Sequence, residues 1–385
     1  MARSDHPMLN DNKLKLGVFS ANCSGGMAVT TVPERWDASW SHNLELARAA
    51  EDAGFEFLLP IARWSGYGGE TDFQGWSLET ITWATALLAN TRQISVFATA
   101  HTAFFHPLVA AKQFATMDQI GAGRFGLNIV CGWNKPEYEM FGIELPDRHD
   151  VRYGLAQEWY DIVRAVWTRP DRFDWEGDYF KLKQVYGNPK PLDGLPPVMN
   201  AGSSTHGREF AVRNADFLFT VLVDMEQGAE TVRSVKKLAT KQGRSIEVFT
   251  TCYVVCRPTT RKAEEYHHHY VDECADWDAV EQLMGLQVHT HSFPHSELQR
   301  LRRRFAGGHG TYPLVGDPDH IAAELKRISE AGFAGTTVAF VNYLDELPFF
   351  VQEVMPRLTR MGLRTANGTQ YSIDEPTALP IDVWW

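Results

Sequence analysis

Short apolar runs recur along the chain, each followed by a polar loop and then by a segment whose apolar positions repeat with helical spacing. Leu14 to Ser20 is the first such run, and it ends in Asn22-Cys23-Ser24-Gly25-Gly26. Trp40 to Ala53 carries helical periodicity and stops at Gly54. Phe55 to Pro60 reads as a second strand, and Ser77 to Asn90 as a helix with Ser77 as its N-cap. Ile94 to Thr99 is a third strand, and Pro107 to Ile120 a helix that starts on proline. Arg124 to Val130, Pro197 to Ala201, Asp216 to Leu222, Glu247 to Val255 and Gly335 to Phe340 continue the strand series. Helices are expected over 152–167, from Gly202-Ser203-Ser204 to Asn214, and over 226–241, 317–331 and 344–361.

Eight strands alternating with helices make a parallel (β/α)8 TIM barrel the economical fold, as one domain over residues 1–385. Two insertions interrupt the alternation. One lies near 173–190, where Trp175-Glu176-Gly177-Asp178 supplies a hairpin turn. The other covers 259–313, is helical and His-rich, and is too long for a return helix. The tail over 363–385 is polar and expected to be extended. A doubly wound sheet is the rival, but the first turn lacks the Gly-x-Gly-x-x-Gly pattern of that fold.

Composition narrows the partners. The 385 residues are 44% hydrophobic and 12% aromatic, enough for a large core, and the 12 Trp favour a pocket for flat or apolar ligands. A net charge of −11 argues against nucleic acid and anionic membranes. No run approaches the roughly 18 apolar residues that a bilayer span requires. Met1 to Asn12 is polar and lacks a signal-peptide core, so cytoplasmic placement is expected. Five scattered cysteines, two of them in a β-like run, support neither a redox nor a zinc motif. His267-His268-His269 point different ways on a helix, so no metal site is expected.

A barrel of this kind carries its site at the carboxyl ends of its strands. The residues placed there are Asn22 and Ser24, Arg63 and Trp64, Thr99 and His101, Asn128 and Glu137, and Ser203 and Ser204. The most informative stretch runs from Gly123 to Glu137, where an apolar strand ends abruptly in Cys131-Gly132-Trp133 beside an amide and a carboxylate. The set is mostly neutral and hydrogen-bonding. It holds neither a carboxylate pair of the glycosidase kind nor a metal-ligand spacing. Such a set suits a large cofactor that brings its own chemistry. Ser203-Ser204 at a helix start, with Arg152-Tyr153 opening another helix, are candidates for a phosphate site.

Gly123-Arg124-Phe125 through Gly132-Trp133, Lys135-Pro136-Glu137-Tyr138-Glu139 and Ala201-Gly202-Ser203-Ser204 together resemble the bacterial-luciferase-like flavin monooxygenases over nearly the whole chain. Within them the chain looks similar to a subgroup of pyrimidine ring-opening and dimethylsulfone monooxygenases. That resemblance implies FMN, supplied reduced by a separate flavin reductase, with O2 as co-substrate and a homodimer or homotetramer as the assembly. It implies that Thr99, Asn128 and Glu137 place dioxygen beside the flavin, with addition at N5, and that Ala62 and Arg63 touch the flavin ring. Arg152, Tyr153, Ser203 and Ser204 match the phosphate end. Arg63 stands where the pyrimidine enzymes carry Lys, and with Trp64, Phe104, His106 and Trp133 it is expected to reshape the substrate pocket. His101 is expected either to act on the substrate or to pack against the flavin. The implied reaction inserts one oxygen atom into a small organic substrate, opening a heterocycle or cleaving a carbon–heteroatom bond. C4a oxygenation of an organosulfur compound, a deazaflavin-dependent dehydrogenase and a non-catalytic flavin-binding barrel are the alternatives.

Overall fold

A computed structural model describes residues 6–202, 204–287 and 295–365. The strands are β1 (Lys15–Phe19), β2 (Phe57–Leu59), β3 (Ser95–His101), β4 (Phe125–Val130), β5 (Phe173–Glu176), β6 (Lys181–Val185), β7 (Val198–Asn200), β8 (Phe217–Phe219), β9 (Glu247–Cys256), β10 (Tyr312–Gly316) and β11 (Gly335–Ala339). The helices are α1 (Trp40–Asp52), α2 (Thr80–Asn90), α3 (Pro107–Ile120), α4 (Lys135–Met140), α5 (His149–Thr168), α6 (Thr205–Asn214), α7 (Met225–Lys241), α8 (Thr260–His268), α9 (Trp277–Gln287), α10 (His295–Gly308), α11 (Pro318–Glu330) and α12 (Tyr343–Arg360).

Eight parallel strands close a barrel in the order β1-β2-β3-β4-β7-β8-β9-β11, with Lys15 set against Gly335 to join the last strand to the first. The (β/α)8 architecture read from the alternation is therefore the observed one. β5 and β6 form the antiparallel hairpin of the first insertion. β10 was not expected. It runs parallel to β9 from Tyr312↔Cys252 to Gly316↔Cys256, beyond the stretch of β9 that pairs with β8. The residues before it fold as α8, a π-helical turn (His269–Glu273), α9 and α10.

The barrel interior is filled by aromatic rings from two pairs of neighbouring strands, Phe57 and Phe97 of β2 and β3 and Phe217 and Phe249 of β8 and β9, with Leu59, Met199 and Met8. Burying each such side chain contributes roughly 1.5–3 kcal/mol. Room for two of these rings comes from glycine, since a Cβ on Gly17 would meet the Phe57 ring at 2.5 Å and one on Gly126 the Phe97 ring at 2.5 Å. Outside the barrel, the apolar faces of the helices pack on the strands as one continuous core. At the amino end of β2, Glu56 is buried and gathers Asn12, the Leu16 amide and Arg364, the last at 2.9 Å.

Two boundaries differ from the sequence reading for identifiable reasons. α2 begins at Thr80 with Glu79 as its cap, because the Ser77 hydroxyl donates instead to the Arg63 carbonyl at 2.9 Å. Glu137, expected in a loop, sits in the first turn of α4, where its negative charge suits the amino end of a helix. Residues 366–385, most of the expected extended tail, lie outside the described residues. Among the described residues no helix is long and apolar enough to cross a membrane.

Candidate active site

β3 is buried along its whole length and pairs with β4 in a register that sets Thr99 opposite Asn128. Their side chains meet at the carboxyl end of the barrel. Asn128 Nδ2 donates to Thr99 Oγ1 at 3.1 Å, while the Thr99 hydroxyl donates to the Pro60 carbonyl at 2.6 Å, just past β2. The Thr99 proton is thus committed, and the amide oxygen of Asn128 is buried with no partner among the described residues. A buried, unpartnered polar atom beside a cavity marks a place where a ligand atom can complete the set.

Arg63 reaches the same cavity from the loop after β2. Its Nη1 donates to Glu137 at 2.9 Å, with both side chains nearly sealed from solvent, and its Nε donates to Gln74 at 3.3 Å. The guanidinium also lies over the Tyr67 ring at 4.8 Å and near Trp133 at 5.6 Å. Glu137 accepts the Trp64 amide at 2.9 Å as well. The carboxylate expected to face dioxygen is therefore engaged by the chain, and it is absent from the described cavity wall.

The cavity is about 490 Å³ in volume, and Ala62, Arg63, Thr99, His101, Asn128 and Trp133 are in its wall. Val130, Trp133 and Ala201 also border a second cavity of about 230 Å³ that holds Arg152, Tyr153 and Ser204. There Ser204 caps α6, its Oγ accepting the Gly207 amide at 3.1 Å, and Arg152 keeps a buried Nε without a partner among the described residues. Ser203 lies outside the described residues. The two cavities share three wall residues, and the set, a larger cavity beside a smaller cationic one at a helix start, suits an isoalloxazine ring with a phosphate tail.

The expected pocket residues divide. Trp133 lines the cavity, whereas Trp64, Phe104 and His106 are not in its described wall. Trp64 and Phe104 instead pack on Phe141 of the turn after α4, with ring centroids 5.0 and 4.2 Å away. His106 caps α3, its Nδ1 accepting the Leu108 amide at 3.3 Å, and meets Phe180 of the hairpin. Asn22 is fully buried and ties the Ile61 and Leu78 backbones together rather than facing a ligand. Burial, and secondarily the Arg63 charge, push His101 down to about 3, so it is neutral at ordinary pH.

Polar wall residues that the sequence reading did not single out come from the later part of the chain, among them Arg208, Gln227, Thr231, Thr251 and His309. His309 follows α10 inside the second insertion, and the same two causes push it down to about 3. Thr251 lies in the middle of β9, beside Thr250, so strand-end position does not single it out. Arg208 and Thr231 lie on helices at positions that read equally well as surface.

Residues 14–335 match the family model described as luciferase-like monooxygenase. The chain belongs to that family. It is 30% identical over 356 residues, covering 90% of this chain and 95% of the relative, to the FMNH(2)-dependent dimethylsulfone monooxygenase of Pseudomonas fluorescens (strain Pf0-1). It is 29% identical, over 89% of this chain and 96% of the relative, to the pyrimidine monooxygenase RutA of Enterobacter sp. (strain 638). Among solved structures, a riboflavin lyase with modified FMN and riboflavin superposes with a TM-score of 0.80 at 23% identity, covering 91% of this chain and 92% of that one.

Proposed function

We propose that the chain is a reduced-FMN-dependent monooxygenase that receives its flavin from a separate reductase and inserts one atom of O2 into a small organic substrate. The observation that carries this reading is the pair of neighbouring cavities with shared wall residues, Ala62, Arg63, Thr99 and Asn128 lining the wide one and Arg152, Tyr153 and Ser204 the narrow one. Family membership and the names of the two relatives support it.

Bound in reduced form, the flavin would supply the electrons that activate dioxygen, at N5 in this reading; the remaining work falls to the chain. Arg152 and Ser204 would hold the phosphate through charge and the amino end of α6. Ala62 and Arg63 would meet the ring. Asn128, fixed by Thr99, would offer its second N–H and its free carbonyl to the reacting edge. Glu137 would act by holding Arg63 in place. The buried side chains of Thr99, Asn128 and Arg63 act away from bulk water, which strengthens each of these interactions. The substrate would be a heterocycle that is opened or a compound whose carbon–heteroatom bond is cleaved.

Anaerobic titration with reduced FMN, followed by quenching of flavin fluorescence after reoxidation, tests the cofactor assignment. Arg152→Ala should weaken binding by about tenfold, the loss of one charge-assisted contact. Equal affinity in the variant would remove the narrow cavity from the reading.

A further inference from the structure

Arg208 lies in α6, one turn beyond the Ser204 cap, and its side chain forms part of the wall of the 490 Å³ cavity. It is half-buried, and among the described residues its guanidinium pairs with no carboxylate and makes no hydrogen bond. The cavity's other arginine, Arg63, is neutralised by Glu137. No Asp or Glu occurs among the described wall residues, and the two wall histidines, His101 and His309, are held neutral by burial. A cation partly withdrawn from water without a counter-ion is unfavourable until an anion joins it.

The barrel order decides what stands around it. α6 is followed by β8 and then α7, so Thr220 just past β8 and Gln227 and Thr231 on α7 belong to the neighbouring unit and line the same cavity. Gln227 and Thr231 are four residues apart and share one face of their helix. Arg208, Thr220, Gln227 and Thr231 all line the wide cavity, and none of them lines the narrow one that holds Arg152, Tyr153 and Ser204. The wide cavity therefore carries a cation with hydrogen-bonding neighbours, separate from the residues assigned to the flavin phosphate.

We infer that Arg208, with Gln227 and Thr231, is an anion subsite, and that the substrate carries a carboxylate, sulfonate or comparable oxyanion. The planar fork of the guanidinium holds two oxygens of such a group at once. Calling the ligand a substrate rests on the monooxygenase reading; the anion preference of the cavity does not.

The test is calorimetric titration of the protein, with and without bound FMN, using matched acid and neutral compounds: benzoate and benzamide, nicotinate and nicotinamide, methanesulfonate and dimethylsulfone. In at least one pair the acid should bind about tenfold or more tightly than its neutral mate, as expected for a charge-assisted pair. Arg208→Gln should abolish that preference and Arg208→Lys should keep part of it, while FMN affinity stays unchanged in both. No preference in any pair, whether from equal binding or from no binding, would overturn the inference. So would a preference that survives in Arg208→Gln. Loss of FMN affinity in that variant would move Arg208 to the cofactor phosphate and overturn it equally. Failure of the unsubstituted protein to bind FMN would count against the monooxygenase reading instead, leaving the cofactor-free titrations to decide the anion subsite on their own.

Discussion

Thr99 and Asn128 face each other across β3 and β4, joined from Nδ2 to Oγ1 at 3.1 Å, and the Thr99 hydroxyl is in turn anchored on the Pro60 carbonyl. Three strands thereby fix the orientation of one amide at the mouth of the barrel. An amide held this way loses no freedom when a ligand arrives, which is the condition for it to act on a reacting centre.

Removing that amide separates binding from chemistry. Asn128→Ala should retain flavin but lower product formation by about 10²-fold, the cost of one preorganised donor. Thr99→Val should produce a smaller loss in the same direction, since it frees the amide without deleting it. Single-turnover kinetics with pre-bound reduced FMN read both, and unchanged turnover in Asn128→Ala would remove its assigned role.

The buried pair of Arg63 and Glu137 invites a different experiment. Glu137→Gln leaves the guanidinium without its counter-charge in a nearly sealed site and should cost about 3 kcal/mol of stability. Adding Arg63→Met should restore part of that loss, because an uncharged pair has no desolvated ion to support. Urea unfolding of the single and double variants checks the sign. A double variant less stable than Glu137→Gln alone would contradict this view of the pair.

His101 makes stability depend on pH. Burial and the Arg63 charge put its folded value at about 3, below the ordinary histidine value of 6.5, so the unfolded chain takes up a proton first as the pH falls. The contribution is intact above 6.5 and declines from there toward 3. Between pH 7 and pH 5 the loss from this one group should be about 2 kcal/mol. His101→Phe should flatten that part of the stability profile measured by urea unfolding, and an unaltered slope would show that the ring titrates normally. By the same argument, no step in activity near pH 6.5 should trace to His101.

Gly132 is required by its surroundings. Its φ is +96°, and a Cβ there would stand 1.8 Å from the Tyr138 hydroxyl oxygen. Gly132→Ala should lower stability by about 1–3 kcal/mol from backbone strain, with the clash added to it. Tyr138→Phe would leave ring carbons 2.5 and 2.7 Å from that Cβ, so combining Gly132→Ala with Tyr138→Ala should relieve the clash but leave the backbone term. Thermal melts of the two variants separate these contributions.

The barrel was legible because its strands are short apolar runs, each closed by a polar loop, and that rhythm survives insertions such as the β5–β6 hairpin. β10 was hidden by its own residues: Tyr312-Pro313-Leu314-Val315-Gly316 is brief, contains proline and ends a long helical stretch. Thr99, Asn128 and Arg63 could be placed because strand ends announce themselves in the sequence. What Glu137 does could not be read there, since its partner Arg63 is 74 residues away and only the fold brings them together. The aromatic group Trp64, Phe104 and Phe141 showed the same limit, since its residues pack on one another and leave the cavity wall to helix residues such as Arg208.

The most direct test mixes the protein, loaded anaerobically with reduced FMN, with isotopically labelled dioxygen in the presence of heterocyclic and organosulfur compounds, acidic ones included. The monooxygenase reading predicts flavin reoxidation kinetics distinct from those of free FMN and a product carrying one labelled oxygen atom. Reoxidation identical to that of free FMN, with no labelled product from any compound, would contradict it.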